Sequence, residues 1–327
     1  MLLLSEEFIQ SALTMKIVID LVESAFSAAA SGDAVVFPAI VDHVGSANAH
    51  FGLKSGYLRL RRSPEADTEV LGLKAGGYWI GNQERNGLPN HRATLLLIDP
   101  KCGEPLALMP ANTITRLRTA AAGAVAARHL ARKDSASVSV LGTGEQAHAQ
   151  LEALQVTHGI RRVFVWGKRP EAVENYAATW RLRGVEVIPS VSLPDCLPQS
   201  DIIITTTPST QPLVMSPWVR SGTHVNAVGS DGEGKKEIDP ELIRRSKFVA
   251  DLASQSRSIG ELQNVAPRSD GRDLLYAELG AICNGSTAGR QSADEITIFD
   301  SSGVNFQDLV VADYLVRRSI QHALGTS

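Results

Sequence analysis

The run VSVLGTGEQA, residues 138–147, decides the fold of this chain. Its apolar part, Val138–Leu141, predicts a strand, and Gly142-Thr143-Gly144-Glu145-Gln146-Ala147 matches G-x-G-x-x-A and opens a helix near Glu145. The glycines permit a tight turn and let backbone amides approach a pyrophosphate, while a small residue at Ala147 permits close helix–strand packing. This context predicts a dinucleotide-binding turn rather than a bare strand–helix connection.

Strands and helices alternate on the carboxyl side of this turn. The segments RRVFVWG, VEVIP, SDIIITTT, GTHVNAVGS and KFVAD read as strands, and helical stretches such as PEAVENYAATWRLRG lie between the earlier ones. Alternation of this kind predicts a parallel sheet with helices on both faces. The fold class is therefore α/β, with a Rossmann doubly wound parallel sheet.

The first 110 residues have a different pattern, that of a smaller α+β domain. Residues 5–31 have helical spacing, and strand-like pieces follow, with the turn DPKCGEP at 99–105 before the last of them. The predicted strands are 35–41, 57–61, 70–74, 93–98 and 106–109. We predict a long helix over 113–131 and an amphipathic helix over 306–324 that packs back on this domain. The expected domains are 1–118 plus 308–327, and 119–307.

Composition excludes several classes of function. The 327 residues carry 32 Lys and Arg against 35 Asp and Glu, a formal charge of -3, which gives no electrostatic reason to bind nucleic acid. The weak alternative is the basic group Arg59, Arg61 and Arg62. No apolar run reaches the roughly 20 residues of a membrane span, and the start MLLLSEEF lacks the basic region of a secretory signal. Three dispersed cysteines indicate reduced thiols and a cytoplasmic location.

The residues after the second strand of the alternating region bear on the cofactor. NAD-binding proteins usually place an acid there for the ribose 2′-hydroxyl, whereas this chain has Lys168 and Arg169 and no acid until Glu171. Two cations suit a 2′-phosphate, so the sequence favours NADP(H), with NAD(H) possible. The alternative is that both are solvated residues at a helix start.

No motif typical of other chemistries is present. There is no HExxH or CxxC pair, so we predict no metal, and no G-x-S-x-G elbow. His148 is interpreted as structural, and neither His91 nor His224 is favoured as catalytic. Three charged residues in apolar, small-residue or glycine-rich settings are the better candidates: Lys74, Arg118 and Asp231. For each, a surface charge or a structural ion pair remains an alternative.

Six stretches together resemble one protein family over nearly the whole chain. They are LGLKAGG (71–77), CGEPLALM (102–109), ITRLRTAAAGAVAARHLA (114–131), VLGTGEQA (140–147), HVNAVGSDGEGKKEID (224–239) and IFDSSGVNFQDLVVA (298–312). The chain resembles the ornithine cyclodeaminase/mu-crystallin family, which also contains alanine dehydrogenases and imine or ketimine reductases.

The resemblance implies roles for individual residues. Lys74 matches a substrate-contacting and catalytic lysine, Arg118 matches the arginine that binds the substrate carboxylate, and Asp231 matches an acid implicated in proton transfer. It also implies a homodimer built on the first domain, which would bind the substrate, while the second holds the cofactor. The cofactor-binding residues expected from the turn and the resemblance are Arg118, Thr119, Gly142, Thr143, Gly144, Gln146, Ala147, Lys168, Arg169, Thr206, Val228 and Gly229.

The chain departs from the family pattern at two places where substrate is expected. Many members have P-x-R in the first sheet, whereas Pro38 is followed here by Ala39 and Ile40. Lys54, or the arginines at 59, 61 and 62, are candidates to replace that arginine. Lys74 is followed by Ala75 and then by an unusual Gly-Gly-Tyr78-Trp79, and the sequence assigns no role to these two aromatic residues.

The expected function is reduction of a small α-imino acid by NAD(P)H, reversible as an amino-acid dehydrogenase. A bidentate cation suits the carboxylate, and an acid suits protonation of the nitrogen. Iminosuccinate-like and cyclic ketimine substrates both fit. Ornithine cyclodeamination with bound NAD is one alternative, because the run at 231–237 resembles that branch. A non-catalytic ligand-binding protein of mu-crystallin type is another.

Overall fold

The computed structural model describes residues 1–45, 48–63 and 66–325. The chain divides into two compact units, Met1–Arg118 with the segment from Val304 onward, and Thr119–Gly303. The return to the first unit thus begins at Val304, whereas the sequence predicted residue 308. The reason is that the first turn of the terminal helix, including Asn305, already packs on the first unit's sheet.

The first unit combines an antiparallel sheet with helices. Its strands lie in the order β1-β7-β6-β5-β4-β2, with β3 paired to β4. Among the described residues of this unit, β1 and β7 run parallel and the other pairs are antiparallel. Its elements are β1 (Leu2–Leu3), α1 (Glu6–Ala12), α2 (Met15–Ala30), β2 (Ala34–Val36), β3 (Ile40–His43), β4 (Ala49–Ser63), β5 (Ala66–Trp79), α3 (Asn82–Asn86), β6 (His91–Ile98), β7 (Pro105–Pro110), and the start of α4 (Asn112–Leu130).

Two sequence expectations for this unit need correction. The helix predicted over 5–31 is two helices, because Thr14 leaves helical geometry and its side chain caps α2 by accepting the Ile17 N–H. The strand predicted over 35–41 is also two, β2 and β3. Pro38 lies between them and has no N–H to donate to a ladder. In contrast, β4 and β5 are far longer than the pieces 57–61 and 70–74.

The second unit is a single parallel sheet with helices. Its strand order is β10-β9-β8-β11-β12-β15-β13-β14, and the direction of winding reverses between β8 and β11. This confirms the predicted α/β doubly wound fold. After the rest of α4, its elements are β8 (Ser137–Leu141), α5 (Glu145–Thr157), β9 (Arg162–Trp166), α6 (Pro170–Arg181), β10 (Glu186–Pro189), α7 (Leu193–Cys196), β11 (Ile202–Thr205), β12 (His224–Ala227), α8 (Pro240–Arg244), β13 (Lys247–Ala250), α9 (Ala253–Ser258), β14 (Leu275–Glu278), α10 (Leu279–Cys283) and β15 (Thr297–Asp300).

The terminal helix α11 (Asn305–Ala323) covers the first unit's sheet together with α2. Gly56 of β4 and Gly72 of β5 lie opposite each other beneath it. A Cβ atom on Gly56 would lie 2.7 Å from the Asn305 Oδ1, and one on Gly72 would lie 3.0 Å from the Leu309 Cδ2. The two glycines therefore let α11 approach the sheet more closely than any side chain would allow.

No helix within the described part of the chain is both long and apolar enough to cross a membrane. The cytoplasmic location stays a prediction.

We expect Gly72→Ala to destabilise the protein by about 1–3 kcal/mol, the usual cost of overpacking. The added Cβ would also lie 2.6 Å from the Leu96 carbonyl oxygen, which cannot move as a side-chain tip can. Urea unfolding followed by circular dichroism measures the change. The matched control is Gly159→Ala, where a Cβ meets nothing within 4 Å and the free energy of unfolding should change by about 0.5 kcal/mol or less. Equal stability of both variants would show that close approach of α11 is not required.

Candidate active site

Two predicted substrate residues of the first unit meet at a carboxylate that the sequence analysis did not select. The Lys74 Nζ donates to both carboxylate oxygens of Asp308, at 2.9 and 3.0 Å, and the Arg118 Nε donates to Asp308 Oδ1 at 3.1 Å. Lys74 is 8%, Arg118 5% and Asp308 1% exposed. A buried charge has to be paired, and here one carboxylate pairs with two cations.

Three elements bring these side chains together. Lys74 lies on the face of β5 that α11 covers, because it is two residues from Gly72 and strand side chains alternate. Asp308 lies in the first turn of α11, where the helix dipole favours a negative charge. Arg118 comes from α4, as does Thr115, whose hydroxyl oxygen accepts a third bond from the Lys74 Nζ at 3.1 Å. All three donor positions of the ammonium are thus directed.

Burial and neighbouring charge shift the pKa values of the pair. Burial, and then the charges of Arg118 and Lys54, lower the pKa of Lys74 to about 7, while Asp308 opposes this change. Burial alone would raise the pKa of Asp308, but the charges of Arg118, Lys74 and Lys54 hold it below its usual range. Asp308 is therefore ionised at neutral pH, and Lys74 is poised to exchange a proton there.

Several residues are candidates to replace the missing P-x-R arginine. Of these, Lys54 lies beside the cluster of Lys74, Asp308 and Arg118. It pairs in register with Lys74 across β4 and β5, so the two lysines share a face of the sheet. Arg59 and Arg61 are an odd number of residues from Lys54 and point to the other face. There they form ion pairs with Asp67 and Asp33, respectively. The side chain of Arg62 lies outside the described part of the structure.

Asp308 and Gln307 are the residues that sequence reasoning missed. Gln307 Oε1 accepts from the Arg118 Nη1 at 3.0 Å. The available signal was an acid within the apolar run FQDLVVA, and a charge in such a setting needs a partner. Nearby, the side-chain amide of Asn305 is buried, and neither of its polar atoms has a hydrogen-bond partner among the described residues.

The second unit places the glycine-rich turn at the carboxyl end of β8. Gly142 has a φ of +112°, and its N–H donates to the Trp166 carbonyl at the end of β9. A Cβ on Gly142 would lie 2.4 Å from Thr206 Oγ1 at the end of β11, so only glycine fits. Gly144 begins α5, and Ala147 is fully buried.

A buried carboxylate joins the neighbouring strand ends. Glu237 accepts from the Thr207 N–H at 2.7 Å and hydroxyl at 2.6 Å, and from the Gly229 N–H at 2.9 Å. A Cβ on Gly229 would lie 2.3 Å from the Thr207 carbonyl oxygen. Burial raises the pKa of Glu237. This residue, which the sequence analysis passed over, fixes the edge that contains Thr206, Val228 and Gly229.

Lys168 and Arg169 are exposed and lie just after β9. Within the described residues, neither side chain has an ion pair. Gly167 precedes them, and a Cβ there would lie 3.2 Å from the Thr143 Cγ2, so the basic pair adjoins the glycine-rich turn. Thr119 belongs to α4, where its carbonyl accepts from the Gln150 side chain at 3.1 Å.

Asp231 lies in a different setting from Lys74 and Arg118. It follows β12 in the second unit, its side chain is 53% exposed, and it is paired with Lys235 one helical turn's spacing along the chain.

His148, His224 and Tyr78 each have a hydrogen-bond partner. His148 accepts from the Trp180 Nε1 at 3.0 Å, and His224, fully buried between Thr297 and Asn226, has its pKa lowered to about 3 by burial. Neutral, hydrogen-bonded rings of this kind fit structural roles. Tyr78 is exposed, and its hydroxyl accepts from the Asn90 side chain at 3.3 Å.

The chain is similar to known proteins over nearly its whole length. The model of the ornithine cyclodeaminase/mu-crystallin family matches residues 1–322. The iminosuccinate reductase of Paracoccus denitrificans is 37% identical over 97% of this chain and 96% of its own length. An archaeal alanine dehydrogenase, solved as a dimer with bound NAD, superposes with a TM-score of 0.89 at 34% identity, covering 98% of this chain and 97% of that one.

A reductase of known structure is also similar to this chain. The Delta(1)-pyrroline-2-carboxylate reductase of Thermococcus litoralis, solved with NADH and L-proline, has a TM-score of 0.89 at 34% identity over 99% of this chain and 98% of its own. The chain belongs to the ornithine cyclodeaminase/mu-crystallin family, and it is an oxidoreductase of that family.

Proposed function

We propose that this protein is an NAD(P)H-dependent reductase of a small α-imino acid that also runs in reverse as an amino-acid dehydrogenase. The observation that carries the proposal is the buried pair of cations, Lys74 and Arg118, in a chain whose other unit has a dinucleotide-binding turn. The reductase and dehydrogenase relatives support the same class. Iminosuccinate-like and cyclic ketimine substrates both fit.

The cation cluster binds the substrate carboxylate. Arg118 offers a planar fork of donors that matches a carboxylate, and Lys74 adds a second charge. Lys54 adds a third positive charge that acts on both Lys74 and Asp308, and a site rich in cations suits a substrate carboxylate.

The proton for the imine nitrogen comes from this chain's own acids. Lys74, with its pKa near 7, supplies a proton at neutral pH and takes it back in the oxidative direction. Asp231 is the second donor, acting through solvent. The nicotinamide cofactor supplies the hydride that adds to the imine carbon, and the products are the amine and the oxidised cofactor.

The turn after β8 holds the dinucleotide. Gly144 has an ordinary negative φ, and a Cβ on it would meet nothing within 4 Å, so neither strain nor packing requires glycine there. Open space over the start of a helix is what a pyrophosphate needs. The other cofactor contacts that we propose, from the turn and from the family resemblance, are Arg118, Thr119, Gly142, Thr143, Gln146, Ala147, Thr206, Val228 and Gly229.

NADP(H) is the favoured cofactor, with NAD(H) possible. The two structural neighbours described above were solved with NAD or NADH. The argument for a 2′-phosphate is therefore this chain's own exposed pair, Lys168 and Arg169, where NAD-binding proteins usually have an acid. We propose no metal for the reaction.

Two alternatives are separated by the same assay. Ornithine cyclodeamination is kept because of the Asp231–Glu237 run, although the basic residues after β9 argue mildly against it. A non-catalytic ligand-binding protein is disfavoured because Lys74, Arg118 and Asp231 are all retained.

We expect NADPH oxidation, read as loss of absorbance at neutral pH, with cyclic imines or with 2-oxo acids plus ammonia or methylamine.

Arg118→Ala should weaken substrate binding by several kcal/mol, because it leaves a buried carboxylate without its partner. Asp231→Asn should lower kcat more than threefold without changing cofactor binding. Release of ammonia and proline from ornithine without net cofactor turnover would instead establish the cyclodeaminase alternative.

We expect Lys168→Asp to lower the preference for NADPH over NADH at least tenfold. Each charge-assisted contact to a phosphate contributes about 1.5–3 kcal/mol, and NADH lacks that phosphate. The ratio of kcat/KM for the two cofactors measures the change. Lys101→Asp, the same charge reversal in the β6–β7 hairpin, should leave the ratio as it is. Equal or better use of NADH by the unchanged protein would contradict the assignment.

We also propose a homodimer formed through the first unit. Its strands β2–β5 and the following loop expose large apolar side chains that a monomer would leave in water. They are Val35, Phe37, Ile40, Val41, Phe51, Tyr78 and Ile80. Light scattering at micromolar concentration should give twice the chain mass of 35.0 kDa, and a monomer mass would refute this assembly.

A further inference from the structure

We propose that Asp308 is a positioning residue of this active site, whose single carboxylate orients both the Lys74 ammonium and the Arg118 guanidinium toward the substrate. This inference rests on the proposed function, because it assigns how the substrate-binding cations of that function are held. It makes the C-terminal helix α11 a part of the catalytic unit.

The first argument is the sharing of one carboxylate. Both oxygens of Asp308 bond the Lys74 Nζ, and Oδ1 also accepts from the Arg118 Nε. Gln307, the preceding residue of α11, accepts from the Nη1 of the same arginine. The two cations are therefore oriented by adjacent residues of one helix turn, and neither can rotate without breaking a buried charged bond.

Asp308 also supplies negative charge next to the Lys74 ammonium. The groups that face Lys74 are Lys54 from β4, Arg118 and Thr115 from α4, and Asp308 from α11, while its partner on β6 is the apolar Leu95. Asp308 is the negative one among these described neighbours. Without it, burial and two cations would act on the ammonium unopposed, and an opposite charge at such a distance typically shifts a pKa by about 1–3 units.

Removing the charge of Asp308 should move the pH profile of imine reduction to lower pH. Reduction needs Lys74 protonated, so activity falls as the pH rises through the pKa of Lys74, which lies near 7. Asp308 raises that pKa against the effect of burial. Removing its charge lowers the pKa further, and the fall in activity moves to lower pH.

The test is the pH profile of kcat/KM for imine reduction in Asp308→Asn. We expect the descending limb to move down by about one pH unit or more, kcat/KM at pH 7 to fall about fivefold or more, and NADPH affinity to stay unchanged. Asp308→Glu, which keeps the charge, should keep the limb near pH 7. Thr115→Val, which removes an uncharged partner of the same ammonium, should not shift the limb either.

The matched control is Asp313→Asn on the same helix, where the carboxylate pairs with Arg317. It should leave both the activity and the limb as in the unchanged protein. If Asp308→Asn lowers activity while the limb stays near pH 7, Asp308 serves packing alone and the proposal is wrong. If Asp308→Asn does not fold, Asp308→Glu decides the question: a limb that moves down by about one pH unit or more although the charge is kept would contradict the proposal.

A second readout does not depend on turnover. In protein labelled with ¹⁵N-lysine, the Nζ resonance lost in Lys74→Met is that of Lys74. Its titration midpoint should lie near pH 7 and move down in Asp308→Asn. If this shift is found while no imine is reduced, the positioning role stands and the proposed substrate class fails. If the midpoint is unchanged by Asp308→Asn, the positioning role fails whatever the enzyme reduces.

Discussion

The organisation of the first unit depends on one carboxylate that is buried between two cations. Burying Lys74 and Arg118 without a counter-charge would cost several kcal/mol per ion, and Asp308 offsets part of that cost by bonding both. Because Asp308 lies near the C-terminus, the chain has to leave the second unit at Val304 and return to the first sheet. The discontinuous organisation of the first unit follows from this requirement.

The return is possible because the sheet has a place for the helix. Gly56 and Gly72 face each other across β4 and β5, and their missing side chains let α11 lie close enough for Asp308 to reach Lys74. The second unit has a comparable pairing of a buried acid with a glycine at the carboxyl ends of β11 and β12. There Glu237, also buried, joins the ends of two strands through backbone N–H groups, and Gly229 leaves room for it. Both units thus hold their polar sites with a buried acid and a glycine.

Local patterns explain what the sequence could predict. The glycine-rich turn, the alternating elements and the 99–105 hairpin depend on neighbours in the chain, and the structure confirms them. One partner of Lys74, Asp308, lies 234 positions away along the chain, and no periodicity in the sequence reveals a contact at that separation. Strand alternation did hold information that was not used. Arg59 and Arg61 lie on the face opposite Lys54, and this parity alone favours the lysine.

The central claim is that the Lys74–Asp308–Arg118 cluster binds the substrate carboxylate. The most direct test is a crystal structure of the enzyme with NADP⁺ and the amino acid that its best imine substrate yields. We expect the α-carboxylate to lie within about 2.7–3.2 Å of both the Arg118 guanidinium and the Lys74 Nζ, where it replaces one of the three bonds of the ammonium while Asp308 stays bonded to both cations. A carboxylate bound elsewhere, with the cluster making no contact to the amino acid, would contradict it.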